Sequence, residues 1–143
     1  MQLSLADRTI IVTGGGSGIG KGVATAVVAS GGDVVLVGRN ADRLAAAQEE
    51  ITAAAGDGSG EVRYEPADVT NEDEVAAMVE AAMWDTGALP ETTYMIGDTS
   101  YDMAMARAGG CHALGVDWGY HEPEELRSAG ATHVFAAPSE LTA

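Results

Sequence analysis

Six short runs rich in β-branched residues, separated by longer alanine-rich stretches, constrain the fold of this chain more than any other feature. TIIVT (9–13), DVVLVG (33–38), EVRYE (61–65), TYMIG (93–97), HALGV (112–116) and THVF (132–135) read as strands. The segments beginning near Gly18, Ala41, Thr70, Ser100 and Glu122 have helical composition and period, and Gly31, Gly56, Gly87, Gly109 and Gly130 supply stops. Parallel neighbours cannot be joined by hairpins and need right-handed crossovers, so strict strand-helix alternation predicts a parallel sheet with helices on both faces. The expected class is α/β, a single doubly wound sheet of order 3-2-1-4-5-6. A length of 143 residues suits one core and one domain over 1–143.

Composition narrows the function classes. Hydrophobic residues make up 46% of the chain, but no apolar run approaches the roughly 20 residues that a membrane span requires, so a soluble protein is expected. The opening MQLSLADRTI has no export pattern, which makes the cytoplasm the expected setting. A net charge of −15 opposes binding to nucleic acid or an anionic membrane surface. Some of that charge has a local use in ADVTNEDEV, where Thr70 is placed to cap a helix whose first turn holds Glu72, Asp73 and Glu74. The single cysteine, Cys111, cannot form an internal disulfide and reads as a small buried hydrophobe.

After the first strand the chain runs Thr13, Gly14, Gly15, Gly16, Ser17, Gly18, Ile19, Gly20 and then enters a helix near Lys21. Glycines there allow a tight turn and let a pyrophosphate approach backbone amides at the positive end of the helix; a tight turn with no ligand uses the same residues. This stretch resembles the short-chain dehydrogenase/reductase family, whose TGxxxGxG loop is matched by Thr13, Gly14, Gly18 and Gly20. The resemblance covers about residues 5–82 and implies a Rossmann-like fold that binds a nicotinamide dinucleotide. Members that prefer NAD place an acidic residue near Gly38, whereas here Gly38 is followed by Arg39 and Asn40, so the resemblance implies NADP. It assigns adenine contacts to Asp68 and Val69. Without it, Asp68 reads as a turn residue and Arg39 as a solvated surface arginine.

From about Gly87 onward, TYMIGDTSYDMAMARAGGCHALGVDWGYH resembles the haloacid dehalogenase-like hydrolases, particularly phosphoglycolate-phosphatase-like members. Their GDxxxD motif falls on Gly97, Asp98 and Asp102, and the resemblance assigns both carboxylates to Mg²⁺. Read locally, Asp98 caps the helix that follows. The two halves, 1–84 and 85–143, meet between about Ala82 and Ala88.

Each half lacks residues that its resemblance calls for. The dehydrogenase YxxxK motif has no counterpart, because the only lysine is Lys21 and no tyrosine lies four residues before it; IGDT stands where NNAG is expected. The phosphatase DxD nucleophile motif is also absent. From these gaps follow the expectations of no catalytic residues and no enzyme, and of a deliberately built, non-catalytic chimeric scaffold with at most residual NADP binding, a truncated natural fusion being the alternative origin. A metal-dependent hydrolase using Asp98 and Asp102, or a degenerate NADP-dependent oxidoreductase, are the alternatives. If the first and fourth strands are neighbours, the acid pair sits beside the glycine loop, and repulsion of roughly 1–4 kcal/mol per charge pair predicts weak, magnesium-sensitive NADP binding or none. A small-molecule nucleotide is the one ligand class expected, together with self-association through an exposed sheet edge.

Overall fold

The computed structural model describes residues 5–16, 18–68, 70–119, 122–137 and 140. The strands are β1 (Thr9–Thr13), β2 (Asp33–Gly38), β3 (Val62–Pro66), β4 (Thr93–Gly97), β5 (His112–Val116) and β6 (His133–Phe135). The helices are α1 (Gly18–Ala29), α2 (Ala41–Ala54), α3 (Glu72–Thr86), α4 (Ser100–Ala108) and α5 (Pro123–Ser128), with a 3-10 turn at Pro90–Thr92. All five strand pairings are parallel and the sheet order is β3-β2-β1-β4-β5-β6, a Rossmann-like doubly wound arrangement.

The central strands β1, β2 and β4 have near-continuous apolar runs because both sheet faces are covered there, whereas the edge strand β3 is half-exposed and carries Arg63 and Glu65. Ile10 and Val12 of β1, Val34 and Leu36 of β2, Ile96 of β4 and Leu114 of β5 share a core with Val23 and Val27 of α1 and Leu44 and Ile51 of α2. The intervening Ile11, Val35, Val37, Met95 and Ala113 form the opposite core with Val79 of α3, Met103 and Ala106 of α4 and Leu126 of α5. Two helices therefore cover one face and three the other. Cys111 is buried in the second core, as a small hydrophobe would be.

The start of α3 corrects one local expectation. α3 begins at Glu72 and is capped by Asn71, whose side chain accepts from the amides of Asp73 and Glu74; Thr70 instead donates its amide and hydroxyl to Asp68. α4 stops at Gly109 as expected, and Gly110 after it takes the left-handed conformation. Among the described residues no helix is long and apolar enough to cross a membrane.

Candidate functional site

β1, β2 and β3 are adjacent and parallel, so the loops that leave their C-terminal ends lie along the same edge of the sheet. The first loop turns at Gly14 (φ 65°) and re-enters at Gly18 (φ 58°), left-handed values that a Cβ disfavours. A Cβ built at either position meets nothing within 4 Å, so both face open space. Gly20 is the opposite case: a Cβ there would lie 2.3 Å from the Gly14 carbonyl oxygen, because the first turn of α1 packs directly on the loop. The Gly15 amide donates to the Val37 carbonyl at 3.3 Å and ties the loop to the end of β2. No acidic residue lies in the first turn of α1, so the positive end of its dipole is not offset from within the helix. Ile19 is partly exposed beside this opening, and Lys21 forms an ion pair with Glu50 of α2. Ser17 lies outside the described residues.

On the second loop Arg39 is exposed, and Asn40 caps α2 by accepting from the Arg43 amide at 3.1 Å. Asp68, after β3, accepts from the Thr70 hydroxyl at 2.7 Å and the Thr70 amide at 3.0 Å. Those bonds hold its carboxyl below the usual value, with the positive charge of Arg39 adding to them. Asp68 is thus a turn residue, as the local reading has it, and stands within electrostatic reach of Arg39. Val69 lies outside the described residues.

β4 lies beside β1, with Val12 opposite Ile96, and this pairing brings the acid pair next to the glycine loop. The cap of α4 is Thr99, not Asp98: the Thr99 hydroxyl accepts from the Asp102 amide at 3.3 Å, while Asp102 Oδ2 accepts from the Thr99 amide at 3.1 Å and its hydroxyl at 2.9 Å. The remaining oxygen, Oδ1, accepts from the Thr13 hydroxyl at 2.6 Å. Asp102 is only 5% exposed, and burial pushes its carboxyl up against the opposing pull of the Thr13 and Thr99 bonds, with the neighbouring Asp98 charge adding to the rise.

Both oxygens of Asp102 are therefore occupied by threonines. Asp98 packs against the turn after β5, where a Cβ on Gly119 would lie 2.2 Å from its own Cβ. Among the described residues no group of three or more His, Cys, Asp and Glu side chains is placed to hold a metal ion, and the magnesium expectation gains no support. Sequence reasoning missed Thr99, although its T-x-x-D spacing to Asp102 is the signature of a capping box.

Comparison with known proteins accounts for both halves. The family profile described as short chain dehydrogenase matches residues 8–90, and one described as HAD-hydrolase-like matches residues 75–141. An uncharacterized oxidoreductase of Staphylococcus aureus (strain USA300) is 36% identical over 85 residues, 59% of this chain and 34% of that protein. A 3-ketodihydrosphingosine reductase of Neurospora crassa is 31% identical over 145 residues, 99% of this chain and 40% of the reductase. A solved short-chain type dehydrogenase/reductase from Mycobacterium ulcerans superposes with a TM-score of 0.65 at 37% identity, covering 80% of this chain and 52% of that one. The chain thus spans about a third of the length of the curated relatives it matches.

These findings overturn the expectation of a non-catalytic, engineered scaffold that is not an enzyme, because the relatives are named oxidoreductases and the solved neighbour is a dehydrogenase/reductase. That expectation gave missing side chains more weight than the loop and topology that are present. The composition is two-part, and since the dehydrogenase match takes in more than half of its residues, the chain belongs to the short chain dehydrogenase family.

Proposed function

We propose that this chain is the dinucleotide-binding part of an NADP-dependent oxidoreductase, a degenerate member of its family. The observation that carries the reading is the exposed Arg39 at the end of β2, on the rim of the glycine loop, with no carboxylate at Gly38 to take its place. A guanidinium fork pairs with a 2′-phosphate, whereas a carboxylate there pairs with the free ribose hydroxyls of NAD.

The residues present fit such a ligand. Gly14 and Gly18 leave the outer side of the loop open to a pyrophosphate, whose charge the amides at the start of α1 receive. The Asp68 turn, braced by Thr70, borders the same rim on the adenine side. Asp102 is buried and both of its oxygens accept bonds from threonines, which softens the repulsion expected between the acid pair and a bound phosphate. The nicotinamide ring supplies the hydride chemistry when the cofactor is bound. This chain's own part is to hold and orient the dinucleotide; Lys21 is engaged with Glu50 and stands outside that task.

Calorimetric titration of the full chain with NADP⁺ and NAD⁺ tests the reading. NADP⁺ should bind at least about tenfold tighter, and Arg39→Ala should bring the two to parity, a loss of one charge-assisted contact. NAD⁺ binding as tightly as NADP⁺ would sink the assignment. NADPH consumption with small ketones and aldehydes tests the oxidoreductase class separately: a chain that binds NADP⁺ and turns over no carbonyl compound refutes that part alone.

A further inference from the structure

We infer that Asp102 is a positioning residue for the glycine loop, acting through Thr13; the importance of the loop for ligand binding rests on the proposed function. Thr13 is the last residue of β1 and the hinge from which the chain turns into left-handed Gly14. Its hydroxyl donates to Asp102 Oδ1 at 2.6 Å across 89 positions of sequence, a length typical of a hydroxyl on a carboxylate.

The acceptor is fixed. Its other oxygen takes two bonds from Thr99, and Gly97 packs so closely beneath that a Cβ there would lie 2.3 Å from the carboxylate. At 5% exposure, water is a poor substitute partner.

The rotamer of Thr13, the residue from which the chain leaves β1, is thus held by a helix belonging to the hydrolase-like half. The other tie on the loop, Gly15 to Val37, is a long bond within the dehydrogenase-like half. Among the described residues the glycine loop has a hydrogen-bonded tie to each half of the chain, and the stronger of these two bonds is the one to the carboxylate.

Amide hydrogen exchange and NADP⁺ titration on Thr13→Val, Thr13→Ser, Asp102→Ala and the Thr13→Val/Asp102→Ala pair decide this. Thr13→Val should speed exchange at Gly15 by about tenfold while Ile11 and Val12 in β1 keep wild-type protection, and should weaken NADP⁺ binding by a similar factor. Thr13→Ser, which retains the hydroxyl, should restore both. In the Asp102→Ala background, Thr13→Val should add nothing further at Gly15. Unchanged exchange at Gly15 in Thr13→Val, no rescue by serine, or additive effects in the pair would each overturn the inference. A wild-type chain that binds no NADP⁺ would refute the cofactor assignment, and the exchange measurements would still decide the role of Asp102.

Discussion

Replacing Gly20 by alanine probes how tightly the first turn of α1 is pressed onto the glycine loop. The added Cβ would lie 2.3 Å from the Gly14 carbonyl oxygen and 2.7 Å from its carbon, about 1 Å inside normal contact. Both partners are backbone, so no side-chain rotation relieves the overlap; either the loop or the helix start must shift. Overpacking of this kind costs about 1–3 kcal/mol, and the better helix propensity of alanine returns less than about 1 kcal/mol at the frayed first turn. The net loss is about 1–2 kcal/mol, or roughly 3–6 °C in Tm for a domain of this size. Gly22, two residues on, is the internal control: it is exposed, inside the same helix, and a Cβ there meets nothing within 4 Å. Gly22→Ala should therefore stabilise by about 0.5–1 kcal/mol. Urea unfolding of the two variants gives opposite signs if the packing is as described, and Gly20→Ala should also lose most NADP⁺ affinity. A Gly20→Ala protein as stable as Gly22→Ala, with intact cofactor binding, would refute the close approach of helix and loop.

Three further expectations follow from the local chemistry. Asn71→Ala removes the acceptor for two amides at the start of α3 and should cost about 1 kcal/mol in urea unfolding, whereas Thr70→Ala, though adjacent, leaves the cap in place and should cost less. The carboxyl of Glu65 is raised by burial and by the neighbouring Asp85, so its contribution to stability is fully present below its unfolded pKa and lost as pH rises through the raised folded value. Glu65→Gln should stabilise the fold near neutral pH by a small amount, about 0.2–0.5 kcal/mol because solvent screens this partly exposed side chain, and leave Tm unchanged near pH 4. Burial likewise pushes the Cys111 thiol up, so iodoacetamide should label it slowly in the native chain and rapidly in urea; fast native labelling would contradict its place in the core.

The strand order was readable because β-branched runs and alanine-rich helices alternate without interruption, and a parallel sheet with right-handed crossovers leaves few ways to arrange them. Local competition blurred the caps. Near Asp68, Thr70 and Asn71 more than one side chain is of a capping type, and Asn71 takes the role because it directly precedes Glu72, while Thr70 donates to Asp68. At Asp98-Thr99 both residue types cap well, and the choice falls to Thr99 because Asp102 lies three residues on and reaches back to it. The position of Arg39 just after β2 could be read from sequence because the strand itself fixes it. The bond from Thr13 to Asp102 could not, since no local pattern relates residues 89 positions apart.

The two family matches overlap on residues 75–90, so the change from one likeness to the other falls on α3 and the loop after it, upstream of the β1–β4 pairing. A parallel ladder is made by backbone groups and asks only for extended chains in register, while the flanking side chains need suitable apolar volume, which Ile11 beside Met95 and Val12 beside Ile96 supply. The fold is therefore tolerant at this boundary. The site is not, because it lies at the C-terminal ends of these same strands, where specific polar groups must meet. There Thr13, from the dehydrogenase-like half, finds a well-formed acceptor in Asp102, from the hydrolase-like half, so one of the two carboxylates that sequence alone sets against a phosphate ligand is instead bonded to the residue that leads into the glycine loop.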